Sequence, residues 1–370
     1  MMNAVQGEKP DEGEVASEKP RRGSLPCKAV GLFGRKYVDV EKREYELGPV
    51  GPNEALVEVK AAGVCGTDLN FMRDSTDGFH PMGHELSGVV LETGACVRNV
   101  KPGDTVVVED VAACGCCRDC QEGNISLCRN LIGGEGRPGM ATYYKVDAHC
   151  LVPFEGLSFE AASLTEPLAV GVTATQESDI PFGGSVLVFG HGPIGLFVAR
   201  CAKLRGAGSV SVVGMGRDNA FGAKRFETAE RLGADHLFDG GPAGAADAVR
   251  KVFPNGVDRV IVTAPPVVVP DAINCCRFGG RVSVLGLSFG GREVVPLDVN
   301  QIVFNKIDVK GVIAEPAMHF RQAIDLLKTK QVDPDLFLTD FVTFDGFAAK
   351  IRDVLEMKTP SIKVCLHPRG

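Results

Sequence analysis

"SVLVFGHGPIGLFVARCAKLRG", residues 185–206, decides the fold. Its first five residues are a short apolar run with β-branched and aromatic side chains, the composition of a buried strand. Gly190, Gly192 and Gly195 follow in G-x-G-x-x-G spacing, and Pro193 and Ile194 open a stretch that predicts a helix near 193–206. Between a strand and a helix, such glycines permit a tight turn, let a pyrophosphate approach the backbone, and leave the helix N-terminus facing the phosphates. The motif alone is a weak signal, and its surroundings strengthen it. Downstream, "SVSVVG", "DHLF", "DRVIVT", "GRVSVLG" and "DVKGVI" read as further strands, alternating with helices expected near 220–232, 243–253 and 267–277. Apolar strands separated by helices predict a parallel sheet covered on both faces, a doubly wound α/β unit.

Dinucleotide folds of this kind hold a ribose with an acidic residue about twenty residues past the first glycines. Here the second strand ends in "SVSVVGMGRDN", which puts Gly214 at that place and Arg217 just beyond it, with Lys224 and Arg225 later. Loss of the carboxylate removes a repulsion, and Arg217 is suited to a 2′-phosphate, so NADP is expected over NAD. The other reading makes Arg217 a solvated loop charge and gives the ribose to Asp218.

The chain's 370 residues have room for two or three domains. A net charge of −7 with no basic stripe argues against nucleic acid or acidic membranes as partners. The N-terminus lacks an apolar signal core and no later stretch has bilayer-spanning length, so no membrane association and a cytoplasmic location are expected. Residues 1–24 are charged, contain Glu-Lys-Pro twice, and read as a disordered leader. From Cys27 to about Val152, the runs "ALVEVKAAGV", "LSGVVLE", "DTVVVEDV" and "ATYYKVD", separated by turn residues, predict an irregular β barrel or sandwich.

Within that β-rich region, "GVCGTDLN" and "GHELSGVV" supply Cys65, Thr67, Asp68, His84 and Glu85. A thiolate, an imidazole and a carboxylate can make a three-ligand zinc site with one position open, the arrangement of a catalytic zinc. "LTEPLAVG" adds Glu166, a carboxylate between apolar stretches that is costly to bury without a partner. A second constellation, "ACGCCRDCQEGNISLC", puts five of the chain's thirteen cysteines into residues 113–128. In a reducing compartment such clusters are metal ligands before they are disulfides. An iron–sulfur reading fits the opening C-x2-C-x2-C, but the seven residues between Cys120 and Cys128 do not match ferredoxin spacing.

In "GHELSGVVLETGACV", Gly83, His84, Glu85, Gly88, Gly94 and Val97 fall where the zinc-containing medium-chain alcohol dehydrogenases carry their signature. "GVCGTD", "KPGDTVVV", the cysteine cluster, "EPLAV", "GHGPIG" and "SIKVCLHP" occur in the family's order, so the chain resembles that family over essentially everything after residue 27. It is most similar to the branch that contains sorbitol, threonine and sugar dehydrogenases. The resemblance implies a GroES-like β-rich catalytic domain from 25–177 and 311–370, with a Rossmann domain, 178–310, inserted between. It implies two zinc ions per chain. One is catalytic, held by Cys65, His84 and either Glu85 or Glu166. The other is structural, closed by Cys114, Cys117, Cys120 and Cys128, with Cys116 spare. Gly190, Gly192, Pro193, Ile194, Gly195, Gly214 and Arg217 are the expected NAD(P) contacts. Thr67 stands where the family takes the alcohol proton, and Asp68 where it orients the metal-site histidine.

Two departures from the family pattern bear on the pocket. Asn70 stands where many relatives have a proton-relaying histidine, and an amide cannot relay in that way. The loop between Cys65 and His84 is also shorter than in many relatives. In "DVKGVIAEPAMHF", Ala314 and Glu315 lie near the place of an arginine in sorbitol dehydrogenases; Glu315 could accept bonds from several hydroxyls or an ammonium, or cap the next helix. The expected activity is therefore hydride transfer between NAD(P) and a secondary alcohol of a polar substrate: a polyol, cyclitol, amino-cyclitol or sugar. L-Threonine or another amino-alcohol is the alternative substrate, and a catalytically silent nucleotide-binding zinc protein is the non-enzymatic one. A small polar alcohol or ketone and further copies of the chain, as a tetramer or dimer, are the expected partners.

Overall fold

The computed structural model describes residues 25–75, 77–133, 136–240 and 242–369, so the leader expected over 1–24 lies outside the described residues. The strand Ser185–Phe189 is central in a six-stranded parallel sheet ordered His236–Asp239, Ser209–Gly214, Ser185–Phe189, Val257–Val262, Cys276–Val284, Asp308–Gly311. Counted along the chain this order is 3-2-1-4-5-6, the doubly wound arrangement whose reversal of direction opens a crevice beside the first strand. Alternation along Ser185–Phe189 explains why every residue after Ser185 is apolar. Val186 and Val188 enter one core while Leu187 and Phe189 enter the core on the opposite face. The helices Pro193–Leu204, Ala220–Arg231, Pro242–Val252 and Val269–Cys275 lie close to their expected ranges. The last starts late because Pro266–Val268 forms a separate 3-10 turn.

The β-rich part is organised by a seven-stranded sheet that runs Leu151–Pro153, Thr105–Val108, Glu85–Thr93, Glu54–Gly63, Lys363–Leu366, Leu338–Val342, with Tyr143–Asp147 also paired to Glu54–Gly63. A three-stranded sheet of Lys28–Arg35, Asp39–Glu46 and His80–Pro81 stands beside it. The C-terminal strand therefore returns across the molecule, setting Cys365 opposite Gly63 and Leu366 opposite Ala62.

One helix links the two sheets. Thr165–Glu177 brings Leu168 and Val172 into the same core as Leu196, Phe197 and Val198 of the helix Pro193–Leu204. Their approach is close enough that a Cβ at Gly171 would stand 2.9 Å from Cβ of Phe197. The Phe197 ring in turn stacks on Phe337, with centroids 3.9 Å apart. Among the described residues no helix is long and apolar enough to cross a membrane.

Candidate active site

Strand pairing explains how residues distant in sequence meet. Cys65 follows the strand Glu54–Gly63, and Glu85 opens the neighbouring strand directly opposite Gly63. Cys65 then caps a one-turn helix, Gly66–Asn70, with its sulfur accepting the amide hydrogen of Thr67 at 3.4 Å. Thr67 is thus inside the turn, and its side chain is not the cap. Buried Asp68 accepts from the Cys65 amide and from the Gly83 amide, each at 3.1 Å. It ties the two ligand-bearing loops together through their backbones, where the sequence suggested contact with the histidine ring. The ligating atoms of Cys65, His84 and Glu85 come within 4.8 Å of one another. Glu166, in the first turn of Thr165–Glu177, is outside that trio and acts on it through charge.

The trio calls for a cation. Burial acts to depress the His84 pKa, but the Cys65 thiolate, Glu166 and Asp68 outweigh it and hold the imidazole well above its ordinary value. Burial pushes the Glu166 carboxyl up to about 7; His84 and Lys363 oppose the rise, and Glu85 and Asp110 add to it. Glu85 is fully buried, and its Oε1 accepts a 2.5 Å hydrogen bond from Lys363, which is itself 3% exposed. Lys363 also donates to the Val64 carbonyl at 2.9 Å. Oε2 of Glu85 lies against the same ammonium without the geometry of a hydrogen bond. A divalent ion among a thiolate, an imidazole and this oxygen suits both the charge and the unsatisfied atom. Gly63 makes the pair possible, since a Cβ there would stand 2.2 Å from Oε2.

Three further features shape the approach to this site. Asp110, half-buried at the end of Thr105–Val108, is close enough to raise the Glu166 carboxyl. Phe71, just past Asn70, stacks on His80 at 5.3 Å and tilts on Phe289 of the parallel-sheet unit at 5.9 Å, so aromatic rings bridge the two units. The backbone amide of Ala317 donates to the Val111 carbonyl at 2.8 Å, which draws the 314–317 segment beside Asp110. Glu315 itself is exposed, and the next helix has His319 at its N-cap position with no side-chain capping hydrogen bond.

The glycine turn joins the first parallel strand to the helix Pro193–Leu204. Gly190 has φ 111°, and a Cβ at Gly195 would stand 1.9 Å from the Gly190 oxygen, so neither position accepts a side chain. Gly192 caps the helix and Pro193 and Ile194 begin it, which leaves the first-turn amides free for phosphate. Gly214 ends its strand without a carboxylate; Arg217 lies over the Phe226 ring at 4.8 Å, and its amide donates to Asp239 at 3.1 Å. Asp218 is exposed. Arg225, noted in the sequence only as a later charge beyond Arg217, stacks its guanidinium on Phe221 at 3.9 Å, donates to the Ser361 carbonyl at 3.2 Å and flanks Gly192. Burial lowers its pKa to about 10 and its Nε has no partner.

Cys114, Cys117, Cys120 and Cys128 converge into a second group, and all thirteen cysteines are free thiols. Cys128 Sγ lies 3.6 Å from Cys114 and 3.9 Å from Cys117, and Cys114 lies 4.0 Å from Cys120. Four sulfurs around one zinc sit about 3.8 Å apart. Backbone amides of Cys116 and Cys117 aimed at its sulfur bring the Cys114 thiol down to about 6. Cys116 is exposed and outside the four.

Comparison with known proteins agrees with this geometry. The family model described as Alcohol dehydrogenase GroES-like domain matches residues 51–156, and that described as Zinc-binding dehydrogenase matches 193–329. The chain is 29% identical to the sorbitol dehydrogenase of Bacillus subtilis over 86% of its own length and 91% of that protein's. It is 31% identical to the L-threonine 3-dehydrogenase of Rhizobium johnstonii over 71% of its length and 76% of the relative's. A crystal structure of a zinc-binding dehydrogenase from Sinorhizobium meliloti bound to NADP superposes with a TM-score of 0.77 at 29% identity, covering 92% of this chain and 99% of that one. With a thiolate, imidazole and carboxylate trio beside one sheet and a glycine-turn dinucleotide site on the other, the chain belongs to the zinc-dependent medium-chain alcohol dehydrogenases and is an oxidoreductase that uses zinc and a nicotinamide cofactor.

Proposed function

We propose that the chain interconverts a secondary alcohol and its ketone on a small polyhydroxylated substrate, a polyol, cyclitol, amino-cyclitol or sugar, with NADP as the preferred acceptor. The observation that carries this reading is the convergence of half-buried Cys65 and His84 on fully buried Glu85, whose Oε2 has no hydrogen bond. When bound there, zinc supplies Lewis acidity that lowers the pKa of a substrate hydroxyl. Thr67, half-buried two residues past Cys65, is the residue assigned to accept the hydroxyl proton at its Oγ1. Asn70 cannot pass that proton on, so it leaves toward water. Glu166 holds the opposite side of the site, either as a further ligand or by binding a water. Asp110 and Glu166 together favour substrates rich in hydroxyls or bearing an ammonium group. The free amides after Gly192 and the Arg225 guanidinium would hold the pyrophosphate, and Arg217 the 2′-phosphate.

The GroES-like part is assigned to 25–177 and 311–370 and the Rossmann part to 178–310, a division supported by the return of the strand Lys363–Leu366 to Glu54–Gly63. Two zinc ions per chain are proposed, the second closed by the four cysteines of the lobe. Exchanging Cys117 for serine is expected to lower bound zinc from two ions to one, whereas Cys116→Ser leaves two; elemental analysis of the purified proteins decides this. Exposed Phe278, Val299, Val303, Phe304, Val309 and Ile313 around the last strands of the parallel sheet support a homo-oligomer, a dimer or tetramer. The arrangement of four cysteines as thiolate ligands supports a cytoplasmic location.

The test is a screen for NADH or NADPH formation across polyols, inositols, amino-cyclitols, sugars and L-threonine. Turnover is expected with a polyhydroxylated ring or chain and NADP. Exclusive turnover of L-threonine, or of simple alkanols, would replace the substrate class proposed here.

A further inference from the structure

Gly214 ends the second parallel strand where an acid would hold the ribose diol, and the space above it is already filled. A Cβ built at Gly214 would stand 2.3 Å from Cδ2 and 2.6 Å from Cγ of His191, the residue between the first two glycines of the turn. The backbone is not the obstacle, because Gly214 lies outside the positive-φ conformations that exclude ordinary side chains. The ring, by contrast, is fixed on several sides. Its Nε2 lies 2.9 Å from the Met215 carbonyl oxygen, which makes that nitrogen the donor, and the Met215 amide nitrogen is 3.3 Å away. Phe226 meets it edge-on at 5.0 Å, and the Arg217 guanidinium covers the same Phe226 ring at 4.8 Å.

We infer that His191 and Gly214 form a paired lock on cofactor choice: the imidazole fills the volume that a ribose-binding acid at 214 would need, and the glycine makes room for the imidazole. His191 is a specificity-determining residue that acts by exclusion, while Arg217 acts by attraction. This rests on the NADP preference proposed above. It goes beyond that preference in asserting that the usual single exchange, glycine to acid, fails here unless His191 is removed as well.

The experiment compares the full-length zinc-loaded protein with His191→Ala, Gly214→Asp and the double variant. Thermal unfolding is followed without nucleotide, and Kd for NADH and NADPH is read from nucleotide emission; the chain has no tryptophan to interfere. Gly214→Asp alone is expected to lower the unfolding temperature by several degrees with no gain in NADH affinity. Adding His191→Ala restores the temperature and tightens NADH binding by about tenfold relative to Gly214→Asp, the scale of one charge-assisted hydrogen bond. If Gly214→Asp does not fold, Gly214→Ala with and without His191→Ala carries the same thermal comparison. Additive effects, or NADH binding by Gly214→Asp as tight as in the double variant, would overturn the lock. Wild-type protein that binds NADH more tightly than NADPH, and loses this with Asp239→Asn, overturns the NADP preference while leaving the thermal coupling of 191 and 214 as a separate reading.

Discussion

Exchanging Cys65 for serine, or His84 for alanine, is expected to lower kcat by about 10³-fold or more, since metal activation of the hydroxyl is worth several kcal/mol and each ~1.4 kcal/mol is about a factor of ten. Bound zinc should fall by one ion per chain, and the circular dichroism spectrum should stay native. The fold survives because both residues sit at strand ends, outside the buried apolar clusters. The measurement is steady-state turnover together with metal content. Undiminished activity in either variant would remove the catalytic metal from this site, and lost activity with full zinc content would move the defect elsewhere.

The second large effect belongs to Lys363. Replacing it with methionine keeps the aliphatic stem but leaves the Glu85 carboxylate buried without its ammonium partner, a change that costs about 3–5 kcal/mol for a broken buried pair. The metal makes this diagnostic. If zinc takes Glu85 as a ligand, it compensates the stranded charge, so Lys363→Met should be much less destabilising in zinc-loaded protein than after chelation. Unfolding with denaturant, with and without zinc, reads the difference. Equal losses in both states would show that Glu85 is not a ligand and leave that role to Glu166.

How much of this was legible in the sequence depended on whether the cause was local. The parallel sheet announced itself because buried strands must be apolar on both faces, and Gly195 answers to the Gly190 carbonyl only five positions before it. The convergence of Cys114, Cys117, Cys120 and Cys128 was legible for the same reason, the four thiols lying in one short loop. Lys363 was not. It reads as one charge in a C-terminal apolar run, and only the pairing of its strand with Glu54–Gly63 brings it to Glu85, 278 positions away. Asp110 was missed likewise, and Arg225 was noted without its surroundings, since each gains its meaning from an element far off in the chain. The cap role offered to Glu315 failed because local residue preference for a cap says nothing about where the helix begins.

The near-touching of the helices Thr165–Glu177 and Pro193–Leu204 has a mechanical consequence. With a glycine where any side chain would collide, the two helices cannot slide past each other without losing that contact, so they behave as one rigid strut. Gly171 meets Phe197 and Val198 while Val172 and Thr175 lie beside Cys201 and Leu204, so the two helices run parallel, and Glu166 and the glycine turn that opens the second helix stand at the same end of the strut. Glu166 and the glycine turn are thereby held at one separation by the same helix pair.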